Sequence, residues 1–164
     1  MVLIKQLKMK KISDHISYKE ATYSNTAKNL GLINKPKSEH IKNMEMLAEK
    51  VFEPLRKWVG GPIKVNSFYR SEELNSRIGG AMSSSHISGN AMDITSLGKK
   101  TNLEILHFII NNLDFDQVIS EYPTNGEPRW IHVSYKNKKD NRKQALEIKR
   151  KGKYYTYLEC KNCG

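Results

Sequence analysis

Two short runs, "DQVISE" (116–121) and "RWIHVSY" (129–135), constrain the fold of this chain more than any other feature. Both are rich in β-forming residues, and "YPTNGEP" between them carries two prolines and an Asn-Gly pair, all turn residues. The pattern predicts an antiparallel hairpin. A period of two then puts Trp130, His132 and Ser134 on one face of the second strand, and Ile131, Val133 and Tyr135 on the other.

The remaining elements follow from periodicity and caps. In "SEHIKNMEMLAEKVFEPLRKWVGG", Ile41, Met44, Ala48, Val51, Leu55 and Trp58 recur at helical spacing. Ser38 is the expected N-cap, Pro54 should bend or break the last turn, and Gly60-Gly61 should end the helix. "PIKVNSFY" alternates as a strand with Arg70 at its end, and "SEELNSRIGG" reads as a short helix capped by Ser71 and closed by Gly79. A Ser- and Gly-rich loop (81–90) leads into a strand beginning "AMDI". "TNLEILHFIINNL" is a helix with a Thr101/Glu104 capping box, and "KYYTYLE" reads as an edge strand. "KNKKDNRKQALEIKRKGK" (136–153) reads as a solvated basic segment. The expected class is α+β, with helices packed on a small, mostly antiparallel sheet.

No repeat or low-complexity linker divides the 164 residues, and 38% of them are apolar, enough for one core. The expected organisation is a basic N-terminal segment (1–22), one domain (23–158) and a tail (159–164). No apolar run approaches the ~18 residues of a membrane span. "MVLIKQLKMKKISDHIS" has neither the continuous apolar stretch nor the cleavage site of a signal peptide. The net charge of +11 suits polyanions: nucleic acid, an anionic membrane or anionic wall polymers. Cys160 and Cys163 form a CxxC without a second ligand pair, and read as part of the tail.

Chemistry concentrates in "SSSHISGNAMDI" (83–94), where bulk is cleared from around His86 and Asp93. With His132 on the later strand, they form a set that suits a catalytic zinc ion, since three protein ligands leave the fourth position for water. Ser85, Ser88, Gly89 and Ala91 would let the chain turn tightly and leave room for a substrate backbone. His15, His40 and His107 have plainer explanations, as terminus or helix residues.

"SFYRSEELNSRIGG", "SSHISGNAMDI", "FDQVISE" and "WIHVSY", in that order, resemble the M15 zinc peptidases, the D-Ala-D-Ala carboxypeptidase and endolysin group. Ser84, His86, Gly89, Ala91 and Asp93 match the pattern S-x-H-x-x-G-x-A-x-D, and Trp130, His132 and Ser134 match W-x-H-x-S. The resemblance runs from about Tyr23 to Tyr135. It implies that His86, Asp93 and His132 bind Zn2+, that Arg70 stabilises an oxyanion or holds a substrate carboxylate, and that Ser84 either bonds substrate or caps its own loop.

For the general base there are two candidates. Glu121 ends a strand beside that of His132, as in the family and in the related zinc fold of hedgehog signalling domains, and a strand end positions a base better than a turn. Glu127 lies in the turn, where it could instead pair with Arg129.

The implied function is a zinc metallopeptidase cleaving peptidoglycan stem peptides, as a carboxypeptidase or an endopeptidase. A phage endolysin, made in the cytoplasm and released to the wall by a holin, is one form of it. The alternative of another class is a non-catalytic, zinc-stabilised module that binds wall peptide. A nucleic-acid protein would leave the His/Asp/His set unused. The expected partners are peptidoglycan peptide and anionic wall polymers, with no nucleic acid, and a monomer is the simplest state.

Overall fold

The computed structural model describes residues 11–157; residues 1–10 and the expected tail with Cys160 and Cys163 lie outside them. The start of the described chain is more ordered than its sequence suggests. Ser17 and Ser24 accept hydrogen bonds from the N–H groups of Glu20 and Ala27, capping two short helices, α1 (Tyr18–Thr22) and α2 (Asn25–Leu30). Ile12, Ile16 and Ala21, from the segment expected to precede the domain, are buried in the same core as the rest. The Tyr69 N–H donates to the Ala21 carbonyl at 3.0 Å.

The long helical pattern is realised as α3 (Ser38–Leu47), a π-turn over Ala48–Phe52, and α4 (Glu53–Val59). Lys37, not Ser38, occupies the N-cap position, and its N–H donates to His40 Nδ1 at 3.3 Å. Pro54 does not break the rod. The proline ring crowds the carbonyl of the preceding turn and offers no N–H, and the wider π-turn just ahead of it accommodates both defects. Met44, Leu47, Ala48, Val51, Phe52, Leu55 and Val59 are buried along one side. Trp58, expected on that stripe, is partly exposed and stacks on Phe108 with ring centroids 4.2 Å apart. Gly60, at φ 64°, ends the helix in the left-handed conformation.

Among the described residues six strands form one sheet: β1 (Ile63–Ser67), β2 (Ala91–Ser96), β3 (Gln117–Glu121), β4 (Trp130–Ser134), β5 (Gln144–Arg150) and β6 (Lys153–Thr156), in the order β1-β2-β4-β3-β5-β6. All neighbours are antiparallel except β3 and β5. Strand β5 corrects the reading of 136–153 as a solvated segment. Its flanking Lys and Arg residues hid a strand whose Ile148 is buried.

Helix α5 (Glu72–Arg77) is capped by Ser71, and α6 (Asn102–Asn112) has the Thr101/Glu104 capping box. Helix α6 packs on β2, β3 and β4. Directly paired residues share a face of a sheet. Met92 therefore sides with Val133 and Val118, and Ile94 with Ile131, all five fully buried. The other face carries the in-register rows Asp93–His132–Ile119 and Trp130–Glu121. Alternation thus gives one face of the sheet to the core and puts Asp93, His132 and Glu121 together on the other.

Candidate metal centre

His86 reaches the polar face from the loop between α5 and β2. Its Nδ1 lies 2.6 Å from the Phe68 carbonyl oxygen. A carbonyl can only accept, so Nδ1 carries the proton and Nε2 presents its lone pair. The Arg70 N–H donates to the His86 carbonyl at 3.1 Å, which ties this loop to the end of β1. Asp93 and His132 face each other across β2 and β4 as a directly paired couple.

The three side chains meet on one oxygen. Asp93 Oδ1 lies 3.2 Å from His86 Nε2 and 2.9 Å from His132 Nδ1. All three ligand atoms lie within 4.8 Å of one another. Burial pushes the His86 imidazole down, against the pull of Asp93. Burial also opposes charge on Asp93, but its two histidine neighbours outweigh it and hold the carboxyl far below its usual range. A neutral imidazole lone pair therefore points at an ionised carboxylate, an arrangement that a shared cation resolves.

The donor set fits zinc. Two imidazole nitrogens and one carboxylate oxygen are the ligand types of a catalytic site with one position left open, and ligands of a tetrahedral zinc shell stand roughly 3.3 Å apart. The Phe68 carbonyl on His86 Nδ1 is the outer partner that such a ligand takes to fix its tautomer.

A family model for Peptidase M15 matches residues 14–134. The chain belongs to the M15 peptidases. No curated protein matches it.

In this M15 peptidase the three residues stand in a cleft of about 760 Å³ that also holds Arg70, Ser84 and Glu121. Arg70 donates from Nη2 to Asp93 Oδ2 at 2.7 Å and from Nε to Ser67 Oγ at 2.9 Å. It thereby orients the ligand carboxylate and leaves Oδ1 to the histidines. Ser84 Oγ accepts from the His86 N–H at 3.4 Å, the loop-capping geometry.

Glu121 ends β3 directly opposite Trp130. Burial, then the Asp93 charge, push Glu121 up to about 7. The two candidates for the base are in different places. Glu127 is not among the cleft residues; its Oε1 accepts the Asn102 N–H at 2.7 Å, at the start of α6, rather than resting as a turn charge on Arg129.

Sequence reasoning read Gly89 as a turn residue without its contact to α3, and it missed one wall of the cleft. Gly89 sits at φ 76°, and a Cβ there would stand 2.5 Å from the His40 carbonyl oxygen. The small residue makes room for α3, not for substrate. Ile148, Lys151 and Tyr154 of the β5–β6 hairpin line the far side of the cleft, beyond the family-matched residues. The weak alternation of "QALEIKR" was the only signal for that wall.

Proposed function

We propose that this M15 peptidase is a zinc-dependent hydrolase of peptide bonds in peptidoglycan stem peptides, with His86, Asp93 and His132 as ligands and Glu121 as general base. The observation that carries the reading is Glu121 itself, a half-buried carboxylate raised to about 7 in the same cleft as the three ligands. When bound, zinc supplies Lewis-acid polarisation of a carbonyl and acidifies water. Glu121 takes the proton of the attacking water and returns it to the leaving amine, a task that suits a carboxyl poised near neutrality. Trp130, its direct partner on β4, stands beside that carboxyl. Arg70 fixes Asp93 and keeps further guanidinium N–H groups for negative charge developing on substrate. Ser84 lies at the rim, within reach of a substrate backbone.

The wall as substrate is supported by the net charge of +11, which concentrates a protein on anionic wall polymers. In this reading the protein acts on the wall after leaving the producing cell, as an endolysin does. Among the described residues no helix is long and apolar enough to cross a membrane.

Mass spectrometry of peptidoglycan fragments, with and without a zinc chelator, tests this. Chelator-sensitive loss of terminal D-Ala establishes a carboxypeptidase, and a new amino group inside the stem an endopeptidase. Binding to wall peptide without any cut overturns hydrolysis in favour of a zinc-stabilised binding module.

A further inference from the structure

We infer that the β5–β6 hairpin is the wall that reads the substrate, and that Lys151 at its turn binds a carboxylate carried by the peptide away from the scissile bond. This rests on the peptidase reading above and adds to it a residue outside the family-matched segment.

The register places the hairpin on the catalytic face. Glu121 pairs with Ile148, and Ile148 with Tyr154, so the three share one side of the sheet. Ile148 and Tyr154 form an apolar floor leading away from the metal ligands, and burial, with the Glu121 charge, raises the Tyr154 hydroxyl. Lys151 lies where that floor ends. Leu146 stands level with Ile119 and hence with His132, so the end of β5 at Arg150 is four residues further, roughly 13 Å of strand rise, with Lys151 in the turn just beyond it. From there its side chain crosses to the opposite wall, where Nζ would stand 2.8 Å from a Cβ on Gly79.

The charges of the cleft single out this lysine. Arg70 is held on Asp93 at 2.7 Å and serves the charge at the scissile bond, and Arg142 is committed to the buried Asp116 at 2.6 Å. Lys151 is exposed, and no carboxylate among the described residues pairs with it. The nearest acidic neighbour on its own strand, Glu147, is taken by Lys149 at 3.1 Å. An ammonium that reaches across a cleft without an anion can supply one bond to a carboxylate, and the length of floor before it sets that carboxylate a few residues from the cut. The cleft therefore suits a continuing chain better than a single terminal residue.

The test is a charge-swap cycle on binding, with the zinc-loaded full chain carrying Glu121→Gln to slow cutting. Three synthetic stem peptides serve as probes: one with all carboxylates free, one amidated at the C-terminus, one amidated at its acidic side chains. Lys151→Ala should weaken the free peptide on the order of ten-fold and leave one of the amidated peptides unchanged, which identifies the carboxylate read. Lys151→Arg should restore most of the loss. Equal loss for all three peptides, or no loss, overturns the proposal. If no peptide binds either protein, the peptide reading of the site falls first and this inference with it. Mass spectrometry of the recovered peptide reports residual cutting separately, as a failure of the base assignment.

Discussion

At the scale of single residues, two carboxylates of one cleft are driven in opposite directions by what surrounds them. Asp93 is buried among partners that favour its charge, two histidines and Arg70 at 2.7 Å. Glu121 is buried with Asp93 as a like-charged neighbour and only partial help from His132, Arg70 and Trp130. One is thereby fitted to hold a cation and the other to exchange a proton.

Glu121→Gln should keep stoichiometric zinc while turnover falls by about 10²–10⁴-fold. Glu127→Ala should keep turnover and lower stability by about 1 kcal/mol, because it removes the acceptor for the Asn102 N–H. Metal analysis and a turnover assay on the two variants check both.

The Glu121 carboxyl also makes a prediction for the metal-free protein. Its folded pKa, raised to about 7, exceeds the unfolded value near about 4.3. Stability from the protonated form is therefore present at low pH and lost as pH rises through about 7. Glu121→Gln should match the parent near about pH 4 and exceed it by about 2 kcal/mol near about pH 8. Denaturant unfolding with chelator at the two pH values reads this; an equal difference at both would remove the buried-carboxylate account.

At the scale of elements, the turn before β2 and the crossover before β5 each depend on one unusual position. Gly89→Ala must relieve both a left-handed φ of 76° and a Cβ at 2.5 Å from a backbone oxygen of α3. It should cost about 2–3 kcal/mol and displace His86, so thermal unfolding and zinc affinity fall together.

Asp116 is fully buried and accepts from Arg142 Nε at 2.8 Å, Nη2 at 2.6 Å and its backbone N–H at 3.1 Å. These bonds pin the connection that delivers β5 parallel to β3. Asp116→Asn should lower stability by about 2 kcal/mol, read by denaturant unfolding.

Elements were legible where periodicity and capping chemistry agreed, as with the Thr101/Glu104 box and the 116–135 hairpin. They were illegible where charge masked alternation, as in β5, or where a short helix rests on tertiary packing, as in α1 and α2.

At the scale of the whole molecule, the sheet lies between a core packed on one side and a cleft that needs its polar residues fixed on the other. A cation bound only by the folded arrangement stabilises it by mass action, about 4 kcal/mol at a thousandfold excess over Kd. Zinc removal should therefore lower the melting temperature by about 10 °C, and readdition should restore it. A chelator-insensitive melt would remove the metal from the fold's energetics.

The sequence by itself determined the hairpin, most of the core stripes of the helices, and His86, Asp93 and His132 as candidates for one site, because strand alternation, helical periodicity and short motifs are local properties. Only the tertiary structure decided that Glu121 and not Glu127 faces the cleft, that Arg70 is held on Asp93, and that Gly89 yields to α3. It also decided that the lysine-rich segment forms β5, and that β5 and the expected edge strand β6 line the cleft. Those are contacts between residues distant along the chain, set by how strands register and helices pack, and no local pattern of side chains encodes them.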